Sequence, residues 1–500
     1  MSGLDLLLVS PGGRDKVYQV LGGDVAAIEP PLWTRLIAGY LLDRGVSLQI
    51  LDSEAEGLGP AGIAAVVDGA RPSLAAMVVF GHQPSASTQL MAAAGESCRA
   101  IKRVNPGQRI IILGGHVSAL PERSLREEAV DYVCQGEGPV TIHHLLERLR
   151  DGGQDADLSG VPGLVWREQN VIRSNPTAPL IQNLDRDLHG NVWHLLPMSK
   201  YRAHNWQCLD DLSSRQPYAS IYTSLGCPYR CSFCCINAPF GVNRYRMRSP
   251  EKVVAEIDLL YQCYGVKTFK IIDEMFVLNE PHVRDICERL ASKPYACELN
   301  IWAYARVDTA TRVRLSLLRA AGIRWLALGI ESGSEHVREG SEKALGKQDI
   351  VDIVAQIQAA GINVMGNFIF GLPDDDSETM RQTLDLAKRL NCEFANFYSA
   401  MAYPGSRLYQ IALDENWPLP KSWTGFSQHS RDCQPVSTRK VSAQAVLAFR
   451  DDAFREYFTS PGYLEMVAGK FGSSARRHVE EVARVRLRRD LLELHPEAVS

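Results

Sequence analysis

Cys227, Cys231 and Cys234 lie in the run Gly226-Cys-Pro-Tyr-Arg-Cys-Ser-Phe-Cys234, a C-x3-C-x2-C triplet. Cubane iron–sulfur clusters are held by cysteine thiolates and normally take four of them. Three thiols on one short loop can each bind a different iron, which leaves the fourth iron open to a small molecule. A structural zinc ion competes for the same residue types. Zinc usually closes its shell with four Cys or His in paired units, and no second pair lies near this loop. Cys235 is the nearest spare thiol, but adjacent side chains point apart, so it suits the wall of the site better than the metal. Of twelve cysteines, Cys98, Cys134, Cys208, Cys263, Cys287, Cys297, Cys392 and Cys433 have no ligand spacing. They read as small buried hydrophobes, and no disulfide framework is expected in a long chain without a secretory signal.

The elements that must position this loop follow a β/α alternation. Ala219–Leu225, Lys267–Ile272, Asn300–Tyr304, Trp325–Gly329, Asn363–Ile369 and Phe394–Tyr398 read as six strands. Helical spacing lies between them at Pro250–Tyr264, Glu280–Ser292, Ala310–Ala321, Lys347–Ala360 and Asp376–Leu390. Six such units predict a partial (β/α)6 TIM barrel, whose chemistry sits on the loops after the strands. The cysteines come just after the first strand, as that geometry requires.

A second alternation precedes the barrel. Leu4–Val9, Ser47–Leu51, Ala76–Phe80, Arg109–Leu113 and Val130–Cys134 read as buried strands ending in turn residues. Pro31–Arg44 and Thr88–Arg103 read as helices. This pattern predicts a Rossmann-like doubly wound parallel sheet, which binds ligands at the carboxyl ends of its strands.

The expected organisation of this α/β chain is therefore a Rossmann-like domain over residues 1–150, a linker over 151–215, the barrel over 216–415 and a mainly helical module over 416–500. In the linker, Tyr201 and Trp206 are placed to shape a channel, although connector aromatics usually just pack. In the last module, Ser442–Phe458 and Ala475–Leu492 read as amphipathic helices expected to cap the barrel mouth. Arg484, Arg486, Arg488 and Arg489 alternate there with Glu480, Glu481 and Asp490, as on a solvated helix face.

Five hundred residues exceed one ordinary core. Hydrophobic residues are 45%, charged ones 22% and the net charge is −4, so nothing suggests nucleic-acid or membrane-surface binding. No stretch reaches the ~18 apolar residues of a membrane span, and the N-terminus lacks a signal-peptide pattern. A cytoplasmic protein is expected.

The cysteine run, with Phe233 before its last cysteine, resembles the signature of radical S-adenosylmethionine (SAM) enzymes. Ile272-Asp273-Glu274-Met275-Phe276, Ala305-Arg306-Val307-Asp308, Gly329-Ile330-Glu331-Ser332-Gly333-Ser334 and Phe368-Ile369-Phe370-Gly371-Leu372-Pro373 match its later strand ends. The first 150 residues resemble the cobalamin-binding domain of B12-dependent members. Leu7-Leu8-Val9-Ser10-Pro11, Pro30-Pro31-Leu32, Asn105-Pro106, Gly114-Gly115-His116-Val117 and Gly136-Glu137-Gly138 carry that likeness.

The resemblance implies three cofactors: a [4Fe-4S] cluster on the three cysteines, SAM and cobalamin. SAM would meet Phe233, Asp273, Glu274, Arg306, Glu331 and Ser332. A zwitterionic methionine moiety needs an acceptor for its ammonium, from Asp273 or Glu274, and a donor for its carboxylate, from Arg306. Cobalamin would meet Ser10, Pro11, Gly12, His82, Gln83, Ser85, Gly114, Gly115, His116, Gly136 and Glu137. Methionine synthase and the mutases carry Asp-x-His-x-x-Gly after the first strand, and its histidine binds cobalt from below. Here that turn is Ser10-Pro11-Gly12-Gly13-Arg14-Asp15, so that ligand is missing. His82 and Gln83 follow the third strand and can lie near the corrin, though a histidine there is more often a hydrogen-bonded loop residue. His116 is better placed for the nucleotide tail than for the metal.

The activity implied is methyl transfer to an unactivated carbon, or a phosphinate phosphorus, of a small-molecule intermediate. An electron donor such as flavodoxin or ferredoxin would start it. A non-methylating ring contraction or cyclisation is the alternative within the family. A metal-binding or redox-sensing protein is the alternative outside it.

Overall fold

The computed structural model describes residues 3–23, 25–153, 156–343, 345 and 349–493. The expected helix start at Lys347 lies outside them; the helix is described over Ile350–Ala359.

The first sheet holds seven strands: β1 (Leu6–Ser10), β2 (Leu48–Asp52), β3 (Leu74–Val78), β4 (Ile110–Leu113), β5 (Tyr132–Cys134), β6 (Leu164–Glu168) and β7 (Val171–Ser174). Their order is β2-β1-β3-β4-β5-β6-β7. Strands β3 and β4 are apolar and buried throughout, as parallel strands covered on both faces must be. Helices Leu32–Leu42 and Ala86–Val104 follow β1 and β3. The order reverses between β1 and β3, and a crevice opens there at the strands' carboxyl ends.

Strands β6 and β7 arise within the stretch expected to be a linker, and they add an antiparallel hairpin to the sheet's edge. Gln169 and Asn170 turn it with φ of 47° and 67°, the positive pair that suits the twist of a two-residue hairpin. The apolar run Gly163–Trp166 reads as strand-like within that stretch and forms most of β6, whereas the largely exposed β7 leaves no such signal.

The second sheet contains β8 (Tyr218–Ile221), β11 (Thr268–Ile271), β12 (Asn300–Arg306), β13 (Ile323–Glu331), β14 (Asn363–Phe370) and β15 (Phe394–Ser399). A short antiparallel pair, β9 (Ser224–Leu225) and β10 (Arg246–Met247), stands beside it. Its order is β15-β14-β13-β12-β11-β8, and every pairing is parallel. This is the six-stranded partial barrel. Trp206 plugs its interior from the preceding stretch, stacking on Phe394 and meeting Trp302 and Trp325 edge-on.

Three buried ion pairs weld the two sheets together. Arg35 reaches Glu256 at 3.3 Å and donates to Ser220 O at 2.8 Å. Arg246 meets Glu137 at 2.7 Å, and Lys270 meets Glu29 at 3.0 Å.

The C-terminal module differs from expectation. Helix Ala443–Phe458 lies along the β15 flank, where Arg450 Nε donates to Phe397 O at 2.8 Å. Helix Pro461–Ala483 breaks at Gly472 (φ 89°) and ends before the basic cluster. Residues 485–489 are not helical. Arg489, expected on a solvated face, is buried and pairs with Asp451 at 2.9 Å. Charge alternation looks the same on an exposed helix and on a non-helical segment folded onto a partner.

Candidate active site

The loop after β8 and β9 carries Cys227, Cys231 and Cys234 to the carboxyl end of the barrel, where they line a cavity of about 290 Å³. Gly226 starts the loop with φ 85°, and a Cβ there would lie 2.2 Å from Arg244 O. Only glycine permits that turn. Asn237 Nδ2 holds Cys227 O at 3.1 Å. Among the described residues, the only trio of ligand atoms within 4.8 Å of one another is His143, His144 and Glu147 on an outer helix. The three cysteine thiols are therefore spread wider than a single ion needs, which suits a cluster with one iron per cysteine. Desolvation pushes the Cys227 thiol up to about 11 and raises Cys231 and Cys234 as well. Metal coordination reverses that and deprotonates them outright.

The strand ends answer one question the sequence left open. Asp273 is turned away from the cavity. It accepts from Thr223 N at 2.6 Å, Thr223 Oγ1 at 2.5 Å and Ser224 Oγ at 2.6 Å, so it ties β11 to the turn that launches the cysteine loop. Glu274 lines the cavity instead, and its buried Oε2 has no hydrogen-bond partner among the described residues. Burial, with Asp273 as a lesser cause, raises its carboxyl to about 8.

Arg306, at the end of β12, also lines the cavity. Its Nε donates to Asp308 at 2.8 Å, and the guanidinium lies 4.1 Å from the Tyr229 ring centroid. Burial works to lower its pKa, but Asp308, together with Tyr229 and Cys231, outweighs burial and raises it. Glu331 has φ 66° at a register shift between Gly329 and Glu331. Such an irregularity re-aims a side chain, and here Glu331 enters the cavity and meets Lys343 Nζ at 3.0 Å. A Cβ on Gly329 would lie 2.6 Å from Glu331 Oε1 and 2.9 Å from that Nζ. Phe233 lines the cavity. Ser332 does not: it is fully buried against Thr383 Oγ1 at 3.1 Å.

The crevice of the first sheet forms a second cavity, of about 240 Å³, which shares Trp33, Phe80, Gly81, His82, Gln83 and Tyr304 with the first. Ser10, Pro11 and Ser85 line it, and Gly115 lines the first. Several expected crevice residues have other work. Gly12 N donates to Ser53 Oγ at 2.7 Å, and Gly136 N to Ser118 Oγ at 3.1 Å. Gly114 (φ 157°) passes so close to Val79 that a Cβ would lie 2.0 Å from its carbonyl. His116 is buried, with Nδ1 3.2 Å from Thr88 Oγ1 and its ring 4.3 Å from that of Trp423. Burial drops its pKa to about 3. Glu137 accepts from Ile181 N at 2.9 Å besides pairing with Arg246. None of these five side groups faces either cavity.

Sequence reasoning missed Lys343, Tyr229, Glu29, Lys270 and His204. Tyr229 sits between the cysteines, in view of any close reading. The others belong to no motif and meet the cavities only through folding. Trp206 reaches the second cavity, whereas Tyr201 is buried and donates to Asp52 Oδ2 at 2.9 Å.

Comparison with known proteins agrees with this layout. The radical SAM superfamily model matches residues 221–387, and the B12 binding domain model matches residues 18–146. An uncharacterized methyltransferase of Pyrococcus horikoshii is 30% identical over 428 residues, 85% of this chain and 87% of that protein. The anaerobic magnesium-protoporphyrin IX monomethyl ester cyclase of Rubrivivax gelatinosus is 26% identical, over 80% of this chain and 69% of its own length. Cytidylyl-2-hydroxyethylphosphonate methyltransferase of Streptomyces wedmorensis is 25% identical, over 64% and 63% respectively. The structure of TsrM, a radical SAM methyltransferase from Kitasatospora setae with cobalamin and a [4Fe-4S] cluster bound, aligns over 97% of this chain and 99% of that one. Its TM-score is 0.68 at 17% identity, a likeness of fold.

Proposed function

The chain belongs to the cobalamin-dependent radical SAM enzymes, and from that premise we propose that it methylates an unactivated carbon, or a phosphinate phosphorus, of a small-molecule intermediate. One observation carries the reading. The cysteine loop, the barrel's strand ends and the crevice of the first sheet open onto two cavities with a common wall, so all three cofactors of the family can meet one substrate.

When bound, the cluster and SAM supply a radical for hydrogen abstraction and cobalamin supplies the methyl group; the protein's own part is binding, orientation and exclusion of water. Cys227, Cys231 and Cys234 hold the cluster. Glu274, with its unpartnered oxygen, accepts from the amino group of SAM. Arg306 and Lys343 give the positive field for its carboxylate. Phe233, which lines the same cavity, would pack against the bound cofactors. The crevice around Ser10, Gly81 and Gly115 receives the corrin. An external one-electron donor of the flavodoxin or ferredoxin kind starts each cycle.

Small substrates suit cavities of this size, and TsrM has been solved with tryptophan and a SAM analogue. The similarity to anaerobic cyclases favours a second reading, a non-methylating radical reaction. Anaerobic reconstitution with iron, sulfide and cobalamin, followed by turnover with SAM and a chemical reductant, tests the assignment. We expect cluster and corrin absorbance together, 5′-deoxyadenosine, and a product heavier by one CH2. Loss of 5′-deoxyadenosine in Cys231→Ala is required. An unchanged product skeleton mass with 5′-deoxyadenosine formed would favour the second reading.

A further inference from the structure

Of the three histidines that line the crevice, His82, His204 and His429, only His82 also lines the cavity of the cysteine loop. Gly81 turns the chain sharply after β3, with φ 73° and a would-be Cβ 2.5 Å from that of Ala86, and His82 follows it. The His82 ring lines both cavities. Its Nδ1 is covered and has no hydrogen-bond partner among the described residues, yet it stands 3.9 Å from Glu29 Oε2. The side chain is nevertheless 38% exposed. Nδ1 being covered, the exposed part of the side chain lies among its other atoms, and no hydrogen bond occupies Nε2 among the described residues.

What stands behind the ring is built and buried. Both Glu29 oxygens accept from Lys270 Nζ at 3.0 Å, and the same ammonium reaches His82 O at 3.4 Å. Lys270 thus grips the carboxylate behind the ring and the backbone of the histidine itself. Metal-binding imidazoles commonly have a carboxylate behind one nitrogen while the other offers its lone pair; here the carboxylate stands behind Nδ1 at 3.9 Å, too far for a hydrogen bond, and acts on the ring through its charge. His204 Nε2, 3.9 Å from Glu29 Oε1, flanks the carboxylate on its other side.

We infer that His82 ligates the cobalt of bound cobalamin through Nε2, replacing the histidine that the turn after β1 lacks. Glu29 and Lys270 are its positioning residues. The inference rests on the cobalamin reading of the crevice.

Electron paramagnetic resonance of the cob(II)alamin-loaded protein tests it without reference to turnover. One axial nitrogen splits the cobalt lines into triplets when it is 14N and into doublets when it is 15N. Uniformly 15N-labelled protein loaded with natural-abundance cobalamin therefore separates a protein nitrogen from the cofactor's own base. We expect doublets, lost in His82→Ala and in His82→Gln while the corrin remains bound, and a smaller splitting in Glu29→Gln. Triplets in the labelled protein would assign the ligand to the cofactor's base, and unsplit lines an open lower face; either overturns the inference. Doublets that survive in His82→Ala overturn it too, because another histidine would be the ligand. Failure of the unaltered protein to retain any corrin, with cluster absorbance intact, would instead overturn the underlying reading of the crevice.

Discussion

Glu274 shows how a single side chain can be unfavourable for the fold and suited to a ligand. Its carboxyl is raised to about 8 from a usual 4.5, chiefly by burial. The unfolded chain ionises near 4.5 and the folded one near 8, so the folded state holds the extra proton between those values. Stability therefore falls as pH rises through that window and levels off above it. Glu274→Gln, neutral at every pH, should leave stability near pH 4.5 unchanged. At pH 8.5 it should make the protein without SAM more stable, by on the order of 4–5 kcal/mol. The same substitution removes a charge-assisted bond and should weaken SAM binding roughly ten- to hundredfold. Denaturation midpoints at the two pH values and equilibrium dialysis of SAM check the pair. A variant less stable at the high pH, or one binding SAM as well as the unaltered protein, contradicts this account.

At the scale of elements, the cysteine loop depends on how firmly its launching turn is tied. Asp273 is the knot: three donors from Thr223 and Ser224 converge on its carboxylate. Asp273→Ala would strand those buried donors at a cost of about 2–4 kcal/mol. We expect a lower thermal midpoint and fewer irons per chain after reconstitution, although Asp273 touches neither cavity. Full iron content in a destabilised variant would show that the loop holds its shape without the tie. The elements were largely legible beforehand. Helix Pro250–Tyr264 has the bounds that its helical spacing predicts, and all six barrel strands lie where apolar runs place them. The β7 edge strand and the non-helical stretch 485–489 were not legible, because short polar edge structure leaves no periodic signal.

For the whole molecule, the question is what fixes the distance between the two sheets. Buried pairs cross that joint, among them Arg246–Glu137. Removing one partner leaves the other charged and dry, at a cost of about 3–5 kcal/mol. Arg246→Ala and Glu137→Gln should each lower stability and cobalamin retention, and the double variant should cost little more than either alone. Strictly additive losses would mean that Glu137 acts on the cofactor directly, as its place in the Gly-Glu-Gly turn first suggested.

The sequence by itself determined the class of chemistry and the order of the elements. Three cysteines at fixed spacing constrain a cluster locally, and periodicity reports local backbone preference. Only the tertiary structure decided which of two adjacent carboxylates faces the ligand, because neighbours on a strand end point to opposite sides and packing selects the side. It decided equally that Glu137 and His116 line neither cavity, that Lys343 lines the first, and that Glu29, Lys270 and His82 meet. Those last three are separated by scores of residues in the chain, and only the docking of one sheet on the other brings their charges within reach.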